Sequence, residues 1–322
     1  MQEAADRPYE QAVDHLDRSH HIRISKQTLE RLTESVGSYW LERDEAEYQA
    51  LEFQAAPVIA GQTAPERCLI YADGVMVHSD GAWHEARVGH VRSERPEDRV
   101  DASSTARLCD IPTFERDLWR KARQMGYDQA PVAAFIADGS HWLWNMANRN
   151  FEKAVQILDF YHLSQHVHAC GDAFYGEQTA QGRQWSVEIR GALRAGQVEA
   201  VLERVESLPG RSKLKRQAKH ELVTYLSNNR DRMDYPRYEA MGLPIGSGPV
   251  EAQCKVLVQA RCKQAGMRWK KAGLESLLRV RCAVRDGSYD QKFGHWPIPL
   301  TAWTAQRRKA AKPHEPLRKT PL

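Results

Sequence analysis

Three acidic residues stand where a chain of alternating strands and helices would bring them together. Asp73 is predicted to end a first strand after CLIYA, Asp138 to end a later strand after VAAFIA, and Glu251 to open a helical pattern after LPIGSGPV. Because functional groups collect at the carboxyl ends of neighbouring strands in an open α/β sheet, the two aspartates are expected to be close in space. Converging carboxylates repel one another unless a cation lies between them, and their hard oxygen atoms suit Mg²⁺ or Mn²⁺. The three acids therefore predict a site for two Mg²⁺ or Mn²⁺ ions, an arrangement that cleaves phosphodiesters.

Each acid also has a structural explanation. Asp73 and Asp138 are each followed by glycine, and Asp-Gly pairs are common in turns. Pro249 suits the first position of a helix capped by Ser247 or Gly248, which would put Glu251 in a capping box. For Glu251, the capping role and the catalytic role do not exclude each other.

The charge distribution favours a polyanionic partner. Residues 1–207 hold 22 Lys or Arg against 33 Asp or Glu, whereas residues 208–322 hold 24 against 9. A solvated helix face would explain one basic run, but an excess confined to one region favours nucleic acid. The predicted phosphate contacts on and after the Glu251 helix are Lys255, Arg261, Lys263, Arg268 and Lys270. Trp269 among them could stack on an unpaired base or belong to the core, and the core position is favoured.

The hydrophobic pattern predicts an α/β fold. Helical spacing covers residues 24–54, with Ser25 as N-cap, and a β-hairpin follows at 66–91. The runs PVAAFIADG and AVQILDFYH are apolar on both faces, which is typical of parallel interior strands. The other predicted elements are a strand in DASSTARLC, helices in TFERDLWRKARQMGY, HWLWNMANRN and LSQHVHACGDAFYG, and an all-helical block at 177–240.

Several motifs along the chain together resemble a known family. The succession YADG, ADGSHWLWN, ILDFYH, NNRDRMDYPRYEAMGLPIGSGPVEAQCK and RCKQAGMRW is similar to bacterial insertion-sequence transposases of the Kra family, which belong to the DDE class and have a ribonuclease H-like core. The resemblance covers roughly residues 65–290, and residues 228–269 are its most specific part. It implies that Asp73, Asp138 and Glu251 form the metal-binding triad. Asp159 and His162 match the family's DFYH element. Asp159 could assist the metal site, while His162 could contact the scissile phosphate or cap a packed core.

The pattern and the resemblance together divide the chain into five segments. These are a helical N-terminal segment that could be a helix-turn-helix remnant (1–64), the first part of a ribonuclease H-like mixed sheet flanked by helices (65–176), an all-helical insertion (177–240), the final core helices with Glu251 (241–296), and a basic Pro-rich tail (297–322).

The resemblance implies a transposase that cleaves element ends and transfers the freed 3′-hydroxyl into target DNA, working as a homo-oligomer on DNA. Family members usually carry a longer N-terminal region. The alternative is therefore a transposase-derived DNA-binding protein or regulator without productive catalysis. A nuclease or resolvase on the same fold is a third interpretation.

Other classes of protein are not favoured. The sequence has neither a signal peptide nor an apolar run of membrane-spanning length, which predicts a cytoplasmic protein with no membrane partner. Its six cysteines form no CxxC pair, so they are expected to be buried, reduced thiols. His162 and His166 have helical spacing for zinc but lack the acid of an HExxH motif. The GSG at 246–248 is not followed by GK[ST], which argues against an ATPase.

Overall fold

A five-stranded mixed sheet flanked by helices forms the centre of the computed structural model, which describes residues 1–52 and 63–294. The strand order is β3-β2-β1-β4-β5. The first three strands are antiparallel, whereas β4 runs parallel to β1 and β5 runs parallel to β4. The strands are β1 (Arg67–Ser79), β2 (Ala82–Glu94), β3 (Val100–Arg107), β4 (Val132–Ala137) and β5 (Val155–Leu158).

Helices precede the sheet, connect its parallel strands and fill the second half of the chain. They are α1 (Gln2–Asp6), α2 (Tyr9–His20), α3 (Lys26–Glu52), α4 (Ile111–Gln124), α5 (His141–Asn150), α6 (Phe160–Tyr175), α7 (Ala180–Arg194), α8 (Val198–Glu206), α9 (Lys213–Asn228), α10 (Tyr235–Ala240), α11 (Gly248–Gln253), α12 (Ala260–Cys262), α13 (Lys271–Arg285) and α14 (Tyr289–Gly294). A 3₁₀ turn, Arg230–Arg232, lies between α9 and α10, and a π-helical segment, Cys254–Gln259, joins α11 to α12.

Most of the predicted elements are present. The hairpin, the third strand and the later helices all form, and residues 177–240 contain helices and no strand. Ser25 caps α3 as predicted, because its hydroxyl oxygen accepts a hydrogen bond from the Thr28 N–H at 3.1 Å. Two predictions lie outside the described residues, namely the last two positions of the first long helix and the basic tail at 297–322.

Two predictions about the strands are wrong. Asp73 does not end β1, which continues to Ser79 because β2 pairs with its whole length. β5 is an edge strand rather than an interior one. Its apolar character has another cause: α10 covers that edge, and the hydroxyl groups of Tyr235 and Tyr238 donate to the carbonyl oxygens of Leu158 and Gln156 at 3.2 and 3.3 Å.

The hydrophobic core covers both faces of the sheet. Ile70 on β1 and Phe135 and Ile136 on β4 are fully buried. Five of the six cysteines are buried and all six are unpaired, as the sequence predicts. Among the helices in the described part of the chain, none has both the length and the apolarity to cross a membrane.

The N-terminal helix α3 packs along α13, near the other end of the chain. A Cβ atom at Gly37 would lie 2.1 Å from the backbone oxygen of Ser276, so only glycine permits this approach. The two helices are also joined by a buried ion cluster, which consists of Asp44 on α3, Asp117 and Arg120 on α4, and Arg279 on α13.

The buried ion cluster combines ion pairs and hydrogen bonds in a site closed to solvent. Arg120 lies 3.1 Å from Asp44 and 2.7 Å from Asp117, and Arg279 donates to Asp44 at 3.0 Å. Burial acts to raise the pKa of Asp44, but Arg279 and Arg120 outweigh it and hold that pKa below its ordinary value. The Asp44 carboxylate is therefore ionised at neutral pH and depends on its two arginines.

Candidate active site

The three predicted acids line one open cleft of about 190 Å³ beside the central strands β1 and β4, where β4 ends. Asp138 immediately follows β4. Asp73 lies on β1, two residues beyond Tyr71, which is the last β1 residue paired with β4. The shorter β4 thus leaves Asp73 unobstructed beside Asp138. The cleft is lined by Ala72, Asp73, Asp138, His162, Gln165, Ser247 and Glu251.

Local hydrogen bonds orient both aspartates. The Asp73 carboxylate accepts from the Gly74 N–H at 2.7 Å, and Cys254 Sγ lies 3.6 Å from its other oxygen. The Asp138 carboxylate accepts from the Ser140 N–H at 2.9 Å and from the Ser140 hydroxyl at 3.1 Å. The turn interaction predicted for Asp138 is therefore present. Its hydrogen bonds orient the Asp138 side chain, which still lines the cleft.

Glu251 lies in the first turn of α11 but forms no capping box. Ser247 is the N-cap residue, yet its hydroxyl caps no helix N–H. That hydroxyl instead donates to the buried Asp159 carboxylate and lies 3.5 Å from Glu251 Oε1. The Glu251 side chain is exposed in the cleft, so the capping explanation does not account for this acid.

Asp159 lies behind the cleft rather than in it. Asp159 is 1% exposed. Its carboxylate accepts hydrogen bonds from the N–H groups of Tyr161 and His162 at 2.7 and 3.3 Å, and these bonds cap the N-terminus of α6. The hydrogen bond from Ser247 ties this cap to α11. Phe160 N–H also donates to the Ile245 oxygen at 2.8 Å. From this buried position Asp159 can fix the approach of α11 to α6, but it is not placed to hold a metal ion.

His162 faces the cleft beside the acids. Its ring lies 5.2 Å from that of His166, which stacks on Tyr225 at 3.9 Å. Burial, with His162 as a smaller cause, lowers the pKa of His166. The Tyr225 hydroxyl in turn donates to the Asp138 backbone oxygen at 2.6 Å. His162 therefore stands at the cleft with a packed aromatic support behind it, where it could contact a bound phosphate.

The cleft is strongly negative. In residues 1–52 and 63–294, no Lys or Arg lines it and no ion pair involves Asp73, Asp138 or Glu251. Burial raises the pKa of Asp73, the Gly74 N–H acts in the opposite direction, and the charges of Asp138 and Glu251 raise it further. Uncompensated carboxylates of this kind favour a bound cation.

The donor set fits Mg²⁺ or Mn²⁺, because these ions prefer carboxylate oxygen atoms and keep several water ligands. The acids are not drawn tightly together. Among the described residues, only Glu3, His15 and His20 form a group of three ligating side chains whose atoms all lie within 4.8 Å of one another. The cleft is therefore open enough to admit water and a substrate oxygen beside the carboxylates.

We expect Asp73→Asn to stabilise the metal-free protein at neutral pH. Asn keeps the acceptor for the Gly74 N–H and removes a carboxylate whose pKa is raised in the folded state. A raised pKa means that the ionised group opposes folding, and that this penalty appears as pH rises through the folded pKa. In EDTA, the melting temperature of the variant should exceed that of the wild type by on the order of 2 °C at pH 7.5, with the difference vanishing towards pH 4.

Thermal denaturation in EDTA, at pH 7.5 and near pH 4, checks this expectation. Asp231→Asn, at an exposed position away from the cleft, is the matched control and should leave the melting temperature unchanged. Added Mg²⁺ should raise the melting temperature of the wild type more than that of Asp73→Asn. A variant that is less stable than the wild type at pH 7.5 without metal would contradict the repulsion.

The predicted DNA contacts divide into exposed and buried residues. Lys255, Lys263, Arg268 and Lys270 are exposed. Arg261 is 1% exposed, and its guanidinium lies between the rings of Tyr9 and Trp269 at 5.0 and 5.2 Å, so the predicted phosphate contact is wrong for this residue.

Trp269 is partly buried against the core, and its indole N–H donates to the Cys262 oxygen at 3.0 Å. This position agrees with the core interpretation that the sequence favoured for it.

Three residues of the site were not identified from the sequence. Ser247 was considered only as a helix cap, whereas its hydroxyl links Asp159 and Glu251. Tyr225 lies in a helical block with no distinctive pattern, yet it supports both Asp138 and His166. Cys254 follows Glu251 by three positions, and that helical spacing was the only signal that it could share the same surface.

Comparison with known proteins gives the family. No curated protein matches the sequence. The uncharacterised protein family UPF0236 matches residues 2–296, a range that contains the cleft and every helix and strand described above. This family is associated with transposase-like proteins. Since the match spans nearly the whole chain, the protein belongs to the family UPF0236.

Proposed function

We propose that the protein is a metal-dependent DNA transposase of the DDE class, similar to the Kra family of bacterial insertion sequences. One observation carries the proposal. Asp73 from β1, Asp138 from the end of β4 and Glu251 from α11 line a single cleft, and no Lys or Arg of residues 1–52 and 63–294 lines it. The association of the family with transposase-like proteins supports the same function.

The fold supports a ribonuclease H-like core. The resemblance implies a mixed sheet flanked by helices, with a helical insertion before the last acid. The five-stranded sheet is of that kind, and α7 to α10 lie between α6 and Glu251 in the chain. We propose that residues 65–176 and 241–296 form the catalytic core and that 177–240 is the insertion.

Asp73, Asp138 and Glu251 would hold two Mg²⁺ or Mn²⁺ ions. When bound, such ions activate the attacking oxygen and stabilise the leaving oxygen of a phosphodiester. Gly74, Ser140 and Ser247 would orient these ligands, and His162, which lines the same cleft, would contact the phosphate. The exposed Lys255 lies one helical turn after Glu251, where its ammonium group can bind a neighbouring phosphate.

Two successive phosphoryl transfers make up the proposed reaction. In the first, a water oxygen forms a bond to phosphorus at the element end while the bond to the 3′ oxygen breaks, which leaves a 3′-hydroxyl and a 5′-phosphate. In the second, that 3′-hydroxyl attacks a phosphodiester of target DNA and displaces its 3′ oxygen. Neither step needs an oxidant or an external energy source.

Incubation of the purified protein with supercoiled plasmid tests the proposal. Nicked circles should accumulate with Mg²⁺ or Mn²⁺, and EDTA should prevent their formation. Joining of a labelled 3′-hydroxyl oligonucleotide to the plasmid would distinguish a transposase from a nuclease. Salt-sensitive DNA binding without nicking under any metal condition would overturn the catalytic proposal and leave a DNA-binding protein.

A further inference from the structure

A second surface, at the turn between β1 and β2, combines an exposed tryptophan with basic side chains. We call it the hairpin-tip surface. Trp83, at the start of β2, is 61% exposed, an unusual degree for so large an aromatic residue. The surface consists of His78, Trp83, Lys263, Arg268 and Lys270.

The hairpin-tip surface is held in a fixed geometry. The turn residues Asp80 and Gly81 have positive φ angles of 48° and 82°, which suits a tight two-residue hairpin. The Asp80 N–H donates to the Trp269 oxygen at 2.9 Å, and the Asp80 carboxylate accepts from the Lys271 N–H at 3.1 Å. These bonds fix the hairpin against the segment 263–271, so Trp83 keeps its position relative to the basic side chains.

The side chains around Trp83 match what an unpaired base and its phosphates require. The His78 ring packs edge-on against Trp83 at 5.6 Å, and Lys263 Nζ lies 5.8 Å from the Trp83 ring. Arg268 and Lys270 line an adjoining open cleft of about 580 Å³. Within the described residues, Lys263, Arg268 and Lys270 form no ion pair. Of the described residues that line this cleft, one is acidic, Asp80, and its carboxylate accepts a hydrogen bond from the Lys271 N–H.

The hairpin-tip surface is separate from the acidic cleft. His78 pairs with Trp83 across the two strands, so their side chains project from the same face of the hairpin. His78 lies five positions after Asp73 on β1, and side chains alternate between faces along a strand. Trp83 and Asp73 therefore project from opposite faces of β1, and Trp83 has no part in metal binding.

We propose that the hairpin-tip surface binds single-stranded DNA, with Trp83 stacked on one base and Lys263, Arg268 and Lys270 on the flanking phosphates. Aromatic stacking of this kind needs a base whose face is free, which a continuous duplex does not offer. The proposal deepens the proposed function and rests on it for the identity of the ligand. In the proposed reaction, the DNA strand that is unpaired near the cleavage site would bind to the hairpin-tip surface.

Binding measured in EDTA tests the surface without any cleavage. Fluorescence anisotropy would use a labelled oligothymidylate and a duplex of the same length. We expect Trp83→Leu, which keeps an apolar side chain but removes the ring, to weaken single-strand binding about tenfold. Trp83→Phe, which keeps a ring, should restore most of the affinity. Duplex binding should change less than twofold in either variant.

The basic side chains have a separate readout in the salt dependence. Replacing both Lys263 and Lys270 by Gln should lower the slope of log affinity against log salt by about 1.4 for the single strand, since each phosphate contact contributes about 0.7. Lys213→Gln removes one positive charge at an exposed position on α9, away from this surface, and is the control, which should leave the slope unchanged.

Three results would overturn the proposal. Trp83→Leu could bind the single strand as tightly as the wild type. It could lose single-strand and duplex binding equally, which would exclude stacking on a base. It could alter the molar mass in light scattering with DNA binding unchanged, which would make Trp83 a contact between copies. None of these depends on nicking, so the surface and the catalytic site can fail independently.

Discussion

Glu251→Gln is expected to lower metal-dependent nicking at least about a thousandfold. Gln keeps the size of the side chain but replaces a charged ligand by a neutral amide. Bound metal contributes several kcal/mol of transition-state stabilisation, and each 1.36 kcal/mol corresponds to a factor of ten in rate. Because Glu251 is exposed and makes no capping box, the substitution should not disturb α11. The loss should therefore appear in the rate and not in the stability.

Initial rates of plasmid nicking, measured with Mg²⁺ and with Mn²⁺, check this result. Glu206→Gln, an exposed glutamate at the end of α8, is the matched control and should nick at the wild-type rate. The melting temperature of Glu251→Gln without metal should equal or exceed that of the wild type, since one carboxylate of the negative cleft has been removed. Undiminished nicking by Glu251→Gln would show that this acid is not a metal ligand.

Asp44→Ala should destabilise the folded protein by about 3–5 kcal/mol, because it leaves two buried guanidinium groups without their shared carboxylate. Arg120 and Arg279 are 1% and 3% exposed, so water cannot replace the lost partner. Chemical denaturation at pH 7 measures the free energy of unfolding. The control is Asp14→Ala, which breaks an ion pair with Arg18 whose side chains are 65% and 79% exposed and should cost less than about 1 kcal/mol.

The pH dependence of this difference has a definite sign. The pKa of Asp44 is depressed in the folded state, so its contribution is present above the unfolded pKa of about 3.8 and is lost as pH falls through the folded pKa. The gap between the wild type and Asp44→Ala should therefore be full at pH 6 and narrow below pH 4. A gap that stays constant into acid, or a cost at pH 7 no larger than that of Asp14→Ala, would show that the ion cluster is not stabilising.

The sequence was sufficient to predict that Asp73 and Asp138 lie together, because each follows a short apolar run that forms a buried strand, and at Asp138 the Asp-Gly pair also marks the end of that strand. It placed the end of β1 at Asp73, whereas pairing with β2 continues through Val75, Met76 and Val77 to Ser79. The sequence also did not show that β5 is an edge strand, because the pattern of β5 itself does not report what covers it. The tyrosines that cover this edge, Tyr235 and Tyr238, belong to a helix far along the chain.

The details of the site depended on contacts that no local pattern reports. Ser247 meets Asp159 across 88 positions, and spacing gives no sign of that hydrogen bond. Arg261 belongs to a basic run, and charge alone does not tell which member turns inward between two aromatic rings. Trp83 shows the reverse case. A tryptophan in a strand of alternating polarity usually packs in the core. Trp83 instead lies where the β1–β2 hairpin extends beyond the other strands into solvent.

The buried ion cluster also has a consequence for how the protein emerges from the ribosome. Asp44 and Arg279 are 235 positions apart in the chain. At 5–20 residues per second, Arg279 is synthesised on the order of tens of seconds after Asp44. During that interval α3 exists without the helix that covers Gly37, Val36 and Trp40. The segment that is translated first is thus among the last to reach its native packing, and nascent chains stalled before residue 279 should leave it open to proteases.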